Sequence, residues 1–339
     1  MTFPFNLYSL ALLSSTVVAL ASLPLWRRWC IRTGLVDDPG HRKIHDSPVP
    51  LAGGLTLFTA LLVPLLAGVS FVFWNSLSFG DTPSTENAFT PLGVTSTFLI
   101  KYGFARRAME LAGIILGAGG ILLVGLLDDK YELRAAAKFG GQLAVALLVA
   151  ACGVRITLFV PSIIASYLLT VLWILTVINA FNFMDNMNGL CAGLGAIGAF
   201  YFGVAAAVEG QYLVTLIAIL TLGALLGFLP YNFPNARSFL GDSGSHLAGY
   251  LLAILGILPH FHTPENPRPL AVLMPLFILG VPLADLVWVV ILRWRLGRPF
   301  YRGDTNHLSH RLVRLGLSRT RAVLVIWLAA AALGEICFW

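Results

Sequence analysis

Long apolar runs, separated by short polar stretches, dominate the chain. They lie near 5–26, 51–74, 111–127, 139–152, 162–181, 190–208, 212–229, 245–258, 270–292 and 321–337. Most reach the roughly 17–25 residues that cross a bilayer as a helix, and those at 139–152 and 245–258 are short. The pattern predicts an all-α integral membrane protein of about ten transmembrane helices. Helices that share one bilayer are expected to pack as one unit over residues 1–339. An even number of spans puts both termini on one side.

One stretch between two apolar runs breaks the pattern. Asn179–Gly193, NAFNFMDNMNGLCAG, gathers Asn179, Asn182, Asp185, Asn186 and Asn188. Amide and carboxylate side chains are costly at membrane depth and face a bundle interior or a functional cavity. In a continuous helix, Asn179, Asn182, Asp185 or Asn186, and Gly189 would share a face. The stretch reads either as polar glue between helices or as part of a site.

Composition agrees with the pattern. Of 339 residues 58% are hydrophobic and 11% charged, with mean hydropathy +0.83, against about 25% charged in soluble proteins. The net charge of +6 is not a nucleic-acid signal, because its placement follows the loops. Segments 27–50, 128–138, 182–189, 230–244 and 293–320, with Arg321 at the last boundary, carry most of the Lys and Arg. The opposite side holds Lys101, Arg106, Arg107, Arg155 and Arg268. The positive-inside rule makes the basic side cytoplasmic and both termini external. The first 25 residues lack Lys and Arg, so Phe5–Trp26 reads as a retained helix rather than a signal peptide. Cys30, Cys152, Cys191 and Cys337 are too scattered to suggest a disulfide framework or zinc site. The external segment 75–110 shows no recognisable constellation.

The cytoplasmic loops hold the candidate chemistry. In the first, Arg42, Lys43 and His45 could meet phosphate oxygens or simply mark a basic loop. In the second, Asp128 and Asp129 end an apolar run. Adjacent carboxylates repel there, and a divalent cation, a substrate proton or a neighbouring Lys (Lys130, Lys138) would relieve them. In the fourth, Gly241 and Gly244 flank Asp242, which suits either a hard metal carrying phosphates or a helix N-cap. In the last, His307, His310, Arg311 and Arg314 would share a helical face. That face fits a pyrophosphate clamp better than zinc, since HExxH is missing. Contact with anionic lipid is the bland alternative. Asp285, inside the ninth run, reads as a structural partner for a polar group on another helix.

Five motifs, RKIHDSPVPLAGG, LLDDKYELRAAAK, NAFNFMDNMNGLCAG, NFPNARSFLGDSGS and DTNHLSHRL, together resemble the polyprenyl-phosphate N-acetylhexosamine-1-phosphate transferases. The likeness covers about Arg27 to Gly316. It is nearest the branch that uses UDP-N-acetylglucosamine and related nucleotide sugars for envelope polysaccharides. The peptidoglycan branch has adjacent histidines where this chain has His307-Leu-Ser-His310. Asn188 stands where bacterial members usually have Asp, Ser309 where many have His, and Asn186 where Gly is usual.

The resemblance implies transfer of a sugar-1-phosphate from a UDP-sugar to undecaprenyl phosphate, with UMP released, at the cytoplasmic face of a bacterial inner membrane. It implies Mg2+, with Mn2+ able to substitute, held by Asp242 and Asn182. Asn188, Asn232 and Phe239 would hold the nucleoside, with Asp185 beside them. His307, His310 and Arg311 would stabilise phosphate charge. Asp128 would orient or deprotonate the lipid phosphate, with Asp129 in support. Small residues at Gly117–Gly120 leave a homodimer open. The rival reading is a secondary transporter for an anionic solute, which would carry midplane sites and repeated halves. Neither is visible in the sequence.

Overall fold

A computed structural model of the chain describes residues 5–38, 47–79, 106–157, 160, 162–259, 269–299 and 304–338. Arg42, Lys43 and His45 lie outside the described residues, as does most of the segment 75–110. The helices are α1 (Phe5–Thr33), α2 (Gly53–Phe79), α3 (Ala108–Tyr131), α4 (Ala135–Ala151), α5 (Ile163–Met184), α6 (Leu190–Val208) and α7 (Tyr212–Asn232). They continue as α8 (Gly241–Ile257), α9 (Met274–Ile278), α10 (Gly280–Arg295), α11 (Leu308–Arg314) and α12 (Arg319–Ile336), with a 3-10 turn at Pro269–Leu273. Strands β1 (Val36–Asp37) and β2 (Val49–Pro50) form an antiparallel ladder at the base of the first loop, a small departure from an all-α expectation.

Among the described residues, six helices are long and apolar enough to cross a membrane: α1, α2, α3, α5, α6 and α7. The α9–α10 pair makes a seventh if its two limbs are one span, bent by 67°. Pro282 supplies no N–H for the carbonyl of Ile278 four residues back, which is where the two limbs part. The protein is thus a multi-pass helical membrane protein.

Helix α8 sits at the centre, packed against α2, α3, α5, α6 and α7. Every residue from Ser243 to Leu255 is buried, and from Leu247 onward the helix is apolar all round, as suits such an interior. Small residues set its distance from α3. A Cβ on Gly125 would stand 2.3 Å from the Cα of Ser243, so the two backbones touch there. Around α8, Leu13, Val17, Leu168, Leu172 and Leu328 point outward, as side chains facing lipid do.

Several boundaries differ from the hydropathy reading, and the differences matter. Helix α3 continues through Tyr131, so Asp128 and Asp129 occupy its last turn rather than a loop. Only Glu132–Arg134 separate α3 from α4, which puts Lys138 in the first turn of α4. Helix α8 begins at Gly241, which brings Asp242 into its first turn. The face proposed for 179–189 is interrupted. Helix α5 ends at Met184, and Asp185–Asn188 form the turn into α6. Helix α11 begins at Leu308, so His307 is its N-cap in extended backbone and not on the helical face with His310, Arg311 and Arg314.

Candidate active site

The ends of five consecutive helix pairs meet at one end of the bundle: α1 and α2, α3 and α4, α5 and α6, α7 and α8, and α10 and α11. The short α3–α4 turn folds Lys138 back over its own sequence neighbours. Its ammonium lies 2.6 Å from Asp128 Oδ2 and 3.3 Å from Asp242 Oδ2. The amide oxygen of Asn182 accepts from the same ammonium at 3.4 Å. Three oxygens from three helices therefore surround one cation. Asp128 is further fixed by accepting the Leu133 amide at 2.9 Å. Asn182 donates to Asp242 and, at 3.1 Å, to the Ser245 hydroxyl.

Asp129 has a different task. Its two oxygens accept the backbone N–H groups of Asp242 (2.7 Å) and Ser243 (3.0 Å). These amides open α8 and have no partner within the helix. The cap of α8 thus comes from α3, and Asp242 keeps its carboxylate for Lys138 and Asn182. Gly241 is required at this junction, since φ is +71° and a Cβ would stand 2.9 Å from Asp129 Oδ2. Asp185 stands beside them in the turn after α5. Burial, with the Asp242 and Asp129 charges adding to it, pushes its carboxyl up to about 8, against the pull of the Gly241 amide.

Below this cluster a polar chain runs between helices. Asn179 donates to Gln142 at 2.9 Å and to the Leu175 carbonyl at 2.8 Å. Gln142 in turn meets the buried His246 ring at 3.3 Å. Asn179 therefore acts as the glue that half of the sequence reading allowed, while Asn182 joins the carboxylates.

The residues read as nucleoside contacts build a wall at one side. Asn232 is buried, accepting the Gly189 amide at 2.8 Å and donating to the Ser238 carbonyl at 3.0 Å. Its amide thus ties the α5–α6 turn to the loop before α8. Asn188 reaches the same loop, donating to the Pro234 carbonyl at 3.1 Å. Phe239 pairs by backbone with Pro50 and Gly53 and packs beside Leu35, Leu51 and Ala52.

The cationic module stands against the other side. His307 Nδ1 lies 2.7 Å from Asp285 Oδ2, and the His307 ring meets Phe183 edge-on at 5.6 Å. Asp285 is thus the cross-helix structural partner that its position suggested. Burial, then the charges of His307, Arg314 and Arg319, hold the His310 ring below the usual range, with Asp285 opposing. Arg311 stacks its guanidinium 4.7 Å over Trp288. Arg293, buried in α10, binds Asp304 Oδ2 at 3.1 Å and covers the Phe183 ring at 4.9 Å. Burial alone would raise Asp304, yet the Arg293 and Asn306 contacts hold its carboxyl below the ordinary range.

Two departures from the resembled pattern meet each other here. The Ser309 hydroxyl donates to Asn186 Oδ1 at 2.6 Å, and the Asn186 amide donates to the Phe183 carbonyl at 2.6 Å. Neither substitution is intelligible alone, but together they fasten α11 to the end of α5. Gln142 and Arg293 were not singled out in the sequence as site residues. Lys138 was named there as a neighbour that could neutralise the aspartate pair, and it takes that role toward Asp128.

No three or more His, Cys, Asp or Glu form a metal-holding group among the described residues. The donors that do converge are the two carboxylates and one amide oxygen around Lys138. Magnesium commonly uses only one or two protein carboxylates and takes the rest from water and phosphate.

Carboxylates, amides and histidines thus gather where membrane helices end. Residues 111–260 match the family described as glycosyl transferase family 4, and the chain belongs to that family. A Bacillus subtilis protein described as a probable undecaprenyl-phosphate N-acetylglucosaminyl 1-phosphate transferase is 33% identical, over 94% of this chain and 80% of its own. The Mycobacterium tuberculosis decaprenyl-phosphate N-acetylglucosaminephosphotransferase is 32% identical over 98% of this chain and 82% of its own. An Escherichia coli undecaprenyl-phosphate alpha-N-acetylglucosaminyl 1-phosphate transferase is 27% identical, over 91% and 77%. The resemblance carried by the five motifs thus extends along nearly the whole chain.

Proposed function

We propose that this protein transfers N-acetylhexosamine-1-phosphate from a UDP-sugar to undecaprenyl phosphate, releasing UMP, and so begins a cell-envelope polysaccharide. The observation that carries the reading is the cage of Asp128, Asp242 and Asn182 oxygens closed on one cation at the mouth of α8. Phosphoryl transfer asks a protein chiefly for positioning and charge neutralisation, and this end of the bundle offers both. The bundle crosses the inner membrane ten times, with this end toward the cytoplasm. The basic loops support that orientation.

Mg2+ fits the donor set, because the cage already holds a cation on hard oxygens. Asp242 and Asn182 would hold it, with Mn2+ able to substitute. When bound it would neutralise the pyrophosphate of the donor. Lys138 moves from the carboxylates onto the phosphates. Asp128 orients the lipid phosphate, whose second pKa near 6 leaves it largely ionised without a base. Asp185 lies beside the nucleotide. Asn188 and Phe239 face the nucleoside from the wall that Asn232 ties together. His307, His310 and Arg311 take up charge on the transferred and leaving phosphates. Arg42, Lys43 and His45 complete the phosphate contacts from the first loop.

The test uses purified protein in detergent with undecaprenyl phosphate and a panel of UDP-sugars. UMP release that requires Mg2+ and vanishes in Asp242→Ala is expected. No release from any donor, with uptake of an anionic solute into proteoliposomes, would replace this reading with a transporter.

A further inference from the structure

Asp285 is a buried carboxylate within α10, 5% exposed, and the scheme above gives it no part. It is fully engaged. Oδ2 lies 2.7 Å from His307 Nδ1, and Oδ1 accepts the Leu308 amide at 2.6 Å. Two anchors on consecutive residues prevent the carboxylate from turning away. Eight residues further along the same helix, Arg293 holds Asp304 at 3.1 Å. One helix therefore grips both ends of the turn from 304 to 308.

An ionised carboxylate only accepts hydrogen bonds, so the nitrogen facing Asp285 must carry a proton. In neutral His307 that makes Nδ1–H the tautomer, the reverse of the one free histidine prefers, and Nε2 becomes the only nitrogen available to another group. Phe183 at 5.6 Å and His310 at 6.4 Å flank the ring and limit its rotation. A histidine held in this way presents one nitrogen at a fixed angle, as metal-bound and catalytic imidazoles backed by carboxylates do.

We propose that Asp285 is a positioning residue that acts through His307, fixing the Nδ1–H tautomer and turning Nε2 toward the phosphate being transferred. Its catalytic consequence rests on the phosphoryl-transfer reading; its effect on the ring does not. Replacement by Asn keeps the size and can still accept the Leu308 amide. Its NH2 group would donate to Nδ1 and reverse the tautomer.

Two measurements decide the matter. The first is the nitrogen NMR spectrum of protein carrying 15N-histidine, with the His307 signals identified by their loss in His307→Gln. Wild type at high pH should show Nδ1–H, and Asp285→Asn should show Nε2–H. Wild-type His307 in the Nε2–H form would overturn the proposal, whether or not any sugar nucleotide is turned over. The second is a kinetic cycle. Asp285→Asn should lower kcat by about 10–100-fold with KM for the UDP-sugar unchanged, and Asp285→Glu should recover part of the loss. The double variant with His307→Gln should be no slower than His307→Gln alone. Losses that multiply would show that Asp285 acts independently of the ring, and would sink the inference even with the tautomer as expected.

Discussion

The ammonium of Lys138 lies 2.6 Å from the carboxylate of Asp128, a residue ten positions earlier on the preceding helix. The turn between the two helices is only Glu132–Arg134 long, and its geometry is fixed in part by Asp128 itself, which accepts the Leu133 amide. The pair is therefore set by the shortest connection in the site. Lys138→Ala should lower UMP release by about 10²–10³-fold, the usual loss for one charge-stabilising donor. It also leaves two carboxylates facing each other without a counter-charge. The melting temperature should therefore fall, and Mg2+ should restore more of it in the variant than in wild type. An equal Mg2+ response in both would contradict the shared position.

Asp129→Ala removes the acceptor for two amides at the start of α8. Loss of a cap costs about 0.5–2 kcal/mol, and here the uncapped helix is the central one. Thermal unfolding in detergent should show a loss in that range. Amide exchange should rise first at Asp242 and Ser243. Asp128→Ala should leave those two amides protected, which separates the roles of neighbouring aspartates.

Asn188 donates to the Pro234 carbonyl, a bond that an ionised aspartate cannot make. Asn188→Asp should loosen the loop before α8 and raise KM for the UDP-sugar by about fivefold, equivalent to one hydrogen bond of roughly 1 kcal/mol. Turnover at saturation should hardly change. An unchanged or lower KM would mean that the base, rather than the loop, is the partner that matters.

The His310 ring is held below the ordinary range by burial and by His307, Arg314 and Arg319, so folding favours its neutral form. The stability this gives is present above the unfolded pKa of about 6.5 and is lost as pH falls below it, when the unfolded chain takes the proton more readily. Amides of 308–315 should therefore exchange faster relative to the rest of the chain as pH falls from about 6.5 toward 5. His310→Gln should abolish that dependence. Asp304, held low by Arg293, contributes in the same direction only in more acid solution, near and below the carboxylate range.

Much of the site was legible in the sequence. Asp128, Asn182 and Asp242 were visible as polar residues at the ends of apolar runs, and the structure brings all three around one ammonium. What the motifs left hidden was the division of labour. Asp128 and Asp129 are adjacent letters, yet one faces a lysine and the other caps α8. Asn186 and Ser309 were unexplained singly because their meaning is a bond across 123 positions.

The sequence by itself determined a helical membrane protein, the loops that carry polar chemistry and the family whose motifs they hold. Transfer free energy writes that information directly into runs of apolar residues. Only the tertiary structure decided that Lys138 closes the oxygen cage, that α3 caps α8, and that Asp285 grips His307. The reason lies in the solvent. Lipid and helix interface are equally apolar, so a helix such as α7 carries no polar side to reveal which neighbour it faces. Cross-helix partners then depend on where each helix ends and how it is rotated, which close packing at residues such as Gly125 fixes and an apolar run does not.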